Sequence, residues 1–387
     1  MRRRADTPIG FVLAFGAVSL LADFVYEGAR SVVGPFLAEL GASAALVGVV
    51  TGAGEAVALV FRLVTGPLAD RTGRRWGLSI AGYAITIVAV PLLALAQTLW
   101  QASALVIAER FGKAVRTPAR DTMLADAGSS FGRGWAFAVH EALDQTGAVL
   151  GPLLVAAMIA LSGYRLGFAV LAVPGVLMFF LLLRLRRAVP RPEIFRTGPE
   201  PVPGAAHRFD RRFWVYSAFT ALSMAGFATF GLIGFHLATR KIVPDAQIPI
   251  VYALAMGTAA VAALGSGRAY DRFGLRSLVI APVLAALASA LLLGADDAWL
   301  GGAVWGLALG VHESTLRAAV PDLVPHDSLG AAYGVFTAVY GIAWLVGGAL
   351  LGVVYGTSIA AAVWLSVGLQ TVALALLLTG PFGRLDG

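Results

Sequence analysis

The chain has 387 residues, 58% of them hydrophobic and 13% charged, where a soluble domain carries about 25% charge. That balance excludes a soluble globular protein and leaves a polytopic membrane protein. Lys plus Arg exceed Asp plus Glu by seven, and cysteine is absent, so disulfides and thiolate metal sites are excluded.

In chain order, long apolar runs fall at 9–31, 44–66, 77–96, 99–119, 134–161 and 165–183. A second set follows at 213–238, 248–266, 276–294, 298–319, 330–355 and 358–380. Each can cross about 30 Å of hydrocarbon at about 1.5 Å per residue. The expected fold is an all-α integral membrane protein of about twelve transmembrane helices in two six-helix bundles, 1–183 and 213–387. Between them, 184–212 is rich in Pro and Arg and reads as a surface tether with no specific role. The first run carries Asp23 and Glu27 and ends in no small-residue cleavage site, so it is kept as a spanning helix rather than a signal peptide.

A motif occurs twice, about 200 residues apart, each time after an apolar run. The first copy is Gly66-Pro67-Leu68-Ala69-Asp70-Arg71-Thr72-Gly73-Arg74-Arg75, and the second is Gly267-Arg268-Ala269-Tyr270-Asp271-Arg272-Phe273-Gly274-Leu275-Arg276. Duplication within a hydrophobic chain indicates a transporter built from two related bundles around a central site. Gly66 and Gly267 are expected to permit close helix approach, the Asp-Arg pairs to end helices at the water interface, with Asp70 capping a helix interface, and the following arginines to face lipid headgroups. The motif resembles the signature between helices 2 and 3 of the major facilitator superfamily, Gly-x-x-x-Asp-Arg-x-Gly-Arg-Arg/Lys. The resemblance implies alternating access, with Gly66, Asp70, Arg71, Gly73, Arg74, Arg75 and the echoes Gly267, Asp271 and Arg272 stabilising one facing state.

A mid-membrane charge costs about 2.5–3.5 kcal/mol on insertion scales, so each needs a partner, a wet cavity or a function. Asp23, Glu27 and Arg30 share one face of helix 1; they read as a titrating carboxylate pair biased by Arg30, or as a Glu27–Arg30 ion pair. Helix 2 aligns Glu55, Leu59, Arg62 and Gly66. Helix 4 aligns Glu109, Lys113, Arg116 and Arg120, with Lys113 and the residues after it read as interfacial. Arg110-Phe111-Gly112-Lys113-Ala114 resembles the superfamily's helix-4 motif Arg-x-x-Gln-Gly, which implies a coupling role for Arg110. Helix 5 stacks His140, Asp144, Gly147 and Gly151, with Glu141 beside them and Pro152 next. Gly147-Ala148-Val149-Leu150-Gly151-Pro152 is similar to the antiporter motif Gly-x-x-x-Gly-Pro-x-x-Gly-Gly, with Val155 and Ala156 in place of the closing glycines. Small residues and a proline allow tight packing and bending.

In the second half, Phe227, Phe336 and Tyr340 occupy the positions of ionisable groups in the first, and are expected to line the cavity. Glu313 either pairs with Arg317 at i, i+4 or reaches the substrate, and His236 and Arg240 read as interface anchors. Arg2 to Arg4, the first motif, Lys113, Arg116, Arg120 and the eight arginines of 184–212 cluster on one side. By the positive-inside rule this puts both termini in the cytoplasm, in a multi-pass protein of the cell (inner) membrane.

No nucleophile–base pair, phosphate loop or zinc spacing is present, so no enzyme, cofactor or metal site is expected. The partners expected are a small-molecule substrate, protons and the lipid bilayer, with no nucleic acid and a monomeric chain. The function expected is proton-coupled efflux of a small amphiphilic compound, with Asp23 and Asp144 as leading proton carriers, Glu27 and Glu55 behind them, and Arg110 modulating. Alternatives are metabolite uptake by symport or uniport, export of a divalent metal, and a non-transporting sensor.

Overall fold

The computed structural model describes residues 7–197, 209–325 and 328–381. Its helices are α1 (Pro8–Arg30), α2 (Val33–Glu39), α3 (Ala44–Val60), α4 (Arg62–Thr72), α5 (Arg75–Leu92), α6 (Leu99–Gly128), α7 (Arg133–Val170) and α8 (Ala172–Ala188). They continue with α9 (Arg211–Ala225), α10 (Phe230–Thr239), α11 (Ile248–Phe273), α12 (Ile280–Ser289), α13 (Ala298–Ala318), α14 (Leu329–Thr357) and α15 (Ile359–Thr379). Several start on side-chain caps. Thr7, Thr98, Asp210, Thr229, Asp297 and Ser358 each accept a hydrogen bond from a backbone N–H three residues on.

Among the described residues, eight stretches are long and apolar enough to cross a membrane, and two of them, Arg133–Ala188 and Asp245–Gly294, are long enough for two crossings. With α6 and α13, whose polar residues lower their hydropathy, the chain resolves into the twelve expected spans. Four spans are interrupted: α1 passes into α2, α3 into α4, the part of α7 that follows its turn at Ser162 and Gly163 into α8, and α9 into α10. The last break frees backbone carbonyls that lipid cannot satisfy. Ser366 Oγ donates to Gly226 O at 2.7 Å, Trp344 Nε1 to Phe227 O at 3.1 Å, and Trp305 Nε1 to Ala228 O at 2.9 Å.

Packing divides the chain into two compact units, Met1–Val32 with Val60–Pro201, and Val33–Leu59 with Val202–Gly387. By packing, α2 and α3, which fall within 1–183 in the sequence, group with the second unit. The reason is local. Gly34 lies against the backbone of Gly231 and Gly48 against that of Gly348, so closely that a Cβ at either position would overlap the partner. Thr51 Oγ1 adds a 2.8 Å hydrogen bond to Thr229 Oγ1.

Within the first unit, 192–197 is docked rather than a free tether. Asp126, at the end of α6, takes Arg75 Nη1 at 2.7 Å and Arg196 Nε at 2.8 Å, and Glu193 lies 3.4 Å from Arg75. Trp76 Nε1 donates to Val189 O, and Thr197 bonds Ser129 through both its N–H and its hydroxyl. Arg75 is thus buried and paired, not turned to headgroups, because a carboxylate on the neighbouring helix neutralises it. Arg2 to Arg4 and 198–208 lie outside the described residues.

Candidate functional site

The site candidates gather in the first unit because α7 lies directly on α1. Gly147 meets the backbone of Leu20 and Gly151 that of Phe24, with no room for a Cβ at either glycine. This is the tight packing expected of the helix-5 run through Pro152. It brings Asp23 and Asp144 into one neighbourhood, where Asp144 lies in the fields of Asp23, Arg120, Glu141 and Lys113. Asp144 Oδ1 is buried and without a hydrogen-bond partner. Asp23 is buried and, among the described residues, has no hydrogen bond or ion pair. One turn away His140 Nε2 meets Ser19 Oγ at 2.7 Å, and Ser19 lies 3.5 Å from Tyr83 Oη. Glu141 is exposed and accepts from Gln145 Nε2 at 3.0 Å, on a different face from His140.

The remaining charges are organised by α6. Arg30 Nη1 donates to Glu27 at 3.5 Å and Arg110 lies 3.6 Å from Glu109, all four side chains buried. The ion-pair reading of Glu27 and Arg30 is the geometry observed. Two tyrosines that the sequence did not single out receive the cations of this helix. The Tyr26 ring has Arg110 Cζ at 4.4 Å and Lys113 Nζ at 3.8 Å from its centroid, and the Tyr83 ring has Arg116 Cζ at 4.9 Å. Arg116 is 1% exposed, donates from Nη1 to Thr86 Oγ1 at 2.6 Å, and has no carboxylate partner among the described residues. Lys113 and Arg116 are turned onto tyrosines of α1 and α5, an orientation of α6 that spacing alone does not set. Glu55 is buried and belongs to the second unit with α3.

In the second unit the aromatic residues form one packed chain. Phe227 stacks on Trp305 at 5.2 Å and on His312 at 5.0 Å, Tyr340 meets Trp344 edge-on at 5.9 Å, and Phe336 stacks on Tyr216 at 5.8 Å. Phe227, Phe336 and Tyr340 are all buried. His312 Nε2 lies 2.8 Å from Ser223 Oγ, which also bonds Gln370, while His312 Nδ1 meets Ala308 O at 2.7 Å. Glu313 is exposed and forms no ion pair with Arg317 among the described residues, because the two side chains do not close across the turn. His236 is not an interface anchor. It is fully buried between Tyr355 Oη at 2.7 Å and Asp296 Oδ1 at 2.9 Å.

The repeated motif ends its helices as expected but not through its first glycines. Gly73 in the left-handed region (φ 61°) closes α4, and Gly274 (φ 57°) follows α11. Asp70, Arg71, Arg74, Asp271 and Arg272 are exposed, and among the described residues Asp70 makes no capping bond. A Cβ on Gly267 would meet open space, and one on Gly66 would come no closer than 4.0 Å to Pro118. Close helix approach therefore falls at Gly147 and Gly151 instead.

A duplicated all-helical chain with broken spans and charge buried within one half belongs to the class of repeat-built membrane transporters. The Major Facilitator Superfamily model matches residues 15–348 and 236–382, and the chain belongs to that family. It is 50% identical over 376 residues to the uncharacterised protein Rv2265 of Mycobacterium tuberculosis, covering 95% of this chain and 92% of that one. It is 23% identical to the uncharacterised MFS-type transporter MJ1317 of Methanocaldococcus jannaschii, covering 90% and 89%. Among solved structures it resembles the nucleoside transporter NupG, with a TM-score of 0.73, 15% identity and 95% and 97% coverage, a likeness of fold. The chain is a transporter of the major facilitator class.

Proposed function

We propose that this protein is a proton-coupled transporter of a small amphiphilic compound, working by alternating access in the inner membrane with both termini cytoplasmic. The observation that carries the reading is the Asp23 and Asp144 pair on facing helices: Asp23 is buried, Asp144 is half-buried with its Oδ1 enclosed and without a hydrogen-bond partner, and among the described residues neither is in an ion pair. Burial of a charge without a partner is costly, so such groups are suited to exchanging protons. Protonation changes the charge beside the Gly147 and Gly151 seam, which gives the two facing states different proton affinities, as coupling requires. Glu27 and Arg110, each in an ion pair within the same unit, add the secondary charges of this reading. Efflux in exchange for protons is the mode supported by the similarity of Gly147 to Pro152 to the antiporter motif.

One observation favours the opposite sign. Among the described residues Lys113 has no carboxylate partner, but it lies in the field of Asp144, so an anion beside it binds best when Asp144 carries a proton. That is cotransport. The test is a panel of charged and neutral amphiphiles applied to acidified proteoliposomes while lumenal pH is read. Release of protons on adding a compound supports exchange, and proton movement in the direction of the compound supports cotransport. Equilibration of a compound with no proton movement would overturn the coupling.

A further inference from the structure

We propose that Tyr26, Arg110 and Lys113 form an oxyanion-recognition subsite, and that the transported compound presents a carboxylate or phosphate group to it. The proposal rests on the transport reading and names the chemistry of its substrate. Arg110 and Lys113 are three residues apart on α6 and address the same Tyr26 ring, at 4.4 and 3.8 Å from its centroid. Like charges held this close repel, and the ring quadrupole attracts each only modestly.

The acids nearby are mostly committed. Glu109 pairs with Arg110, Glu27 with Arg30, and Asp121 with Arg120 at 2.9 Å. Arg116, one turn further along α6, is buried with no carboxylate partner, and its Nε has no hydrogen-bond partner. Lys113 and Arg116 thus add two positive charges that no ion pair balances. Lys113 is the one a solute can reach, because it is partly exposed while 114–117 and Gly112 are buried. Its ammonium offers three donors and the tyrosine ring supplies an apolar flank. This combination fits an organic oxyanion with an aromatic or aliphatic body better than a bare inorganic ion.

Asp23 and Asp144 determine what accompanies the anion. With Asp144 charged, the field at Lys113 is partly cancelled, and with Asp144 neutral it is not. Anion and proton therefore assist each other's binding, and by linkage the assistance is reciprocal.

The test uses the purified full-length protein and four probes sharing one body: 4-phenylbutyrate, 4-phenylbutyl phosphate, 4-phenylbutylammonium and 4-phenylbutanol. Binding is read by calorimetry in detergent and flux in phosphatidylcholine vesicles. The two anions should bind at least about tenfold more tightly than the alcohol and the cation, as expected of charge-assisted hydrogen bonds. Lys113→Gln should remove that preference and leave the alcohol unaffected, Lys113→Arg should restore most of it, and Asp144→Asn should tighten anion binding several-fold. Carboxylate against phosphate ranks the two headgroups. Adding phosphatidylglycerol identifies a lipid occupant: if the lipid displaces the anions and they show no flux, the subsite holds a lipid headgroup and the substrate proposal falls. Anions binding no better than the alcohol, or Lys113→Gln binding them like wild type, would also overturn it. Anion binding that depends on Lys113 with no flux of any probe would instead overturn the transport reading alone, and flux of the cation without anion preference would overturn the subsite alone.

Discussion

The two units bury polar groups in contrasting ways. Each hydrogen-bonds a histidine to a serine of an early helix, Ser19 to His140 at 2.7 Å in the first and Ser223 to His312 at 2.8 Å in the second. Around the first pair lie Asp23, Glu27, Arg30, Glu109, Arg110 and Arg116, all buried. Around the second lie Phe227, Trp305 and Trp344 in stacked or tilted contact, with Ser366 and Gln370 as neutral partners. Among the described residues, the buried charge of the second unit is Glu55, which arrives with α3. Charge is costly in hydrocarbon and aromatic packing is stabilising, so the two units hold their buried polar groups by different means.

The largest effect expected breaks the charged side of this contrast. Asp144→Asn and Asp23→Asn should each abolish transport driven by a pH gradient, and at least one should retain substrate exchange in counterflow. Gradient-driven flux at wild-type levels in both variants would remove these carboxylates from the coupling.

Next in size is the pair of substitutions that compare how each unit is held. Asp126→Asn leaves Arg75 and Arg196 without their shared carboxylate and should cost about 3–5 kcal/mol, as loss of one partner of a buried ion pair does. Trp305→Leu removes the ring against Phe227, Phe230 and Tyr252 and the donor to Ala228 O, for about 3 kcal/mol. Thermal unfolding in detergent reads both. If Asp126→Asn also frees 192–197, limited proteolysis there should accelerate, whereas Trp305→Leu should leave that rate unchanged.

The twelve spans were legible because hydropathy and length act locally, and the duplicated motif survives as a pattern in the sequence. The glycine seam of helix 5 was legible for the same reason: Gly147 and Gly151 are four residues apart and share one face. Partners across the fold were not. Arg75 finds Asp126 only when α5 and α6 pack, and Lys113 meets Tyr26 only through the rotation of α6 about its axis, which spacing does not set. Gly66 and Gly267 were misleading because a shared motif marks equivalent positions, not contact. The small contacts of α3 with the second half were hidden too, since each is a glycine among 46.

The smallest effect concerns that last seam, where sequence from the first half is packed into the second unit. Thr51 Oγ1 lies 2.8 Å from Thr229 Oγ1 and also donates to Val47 O, and Thr229 caps α10. If the termini are cytoplasmic, as proposed, the turn joining α2 and α3 lies on the outer side, and an outward opening that parts α3 from α10 and α14 breaks this hydrogen bond. Thr51→Val keeps the side-chain shape and removes the hydroxyl, which should weaken the closed seam by about 1 kcal/mol, roughly a fivefold change in the open population. The chain has no cysteine, so Val50→Cys provides a single buried probe on α3. Its labelling by a membrane-impermeant maleimide from outside should accelerate about fivefold in the Thr51→Val background, if opening precedes labelling and 1 kcal/mol sets the shift. Unchanged labelling would mean that the seam does not move in the transport cycle and that α3 belongs permanently to the second unit.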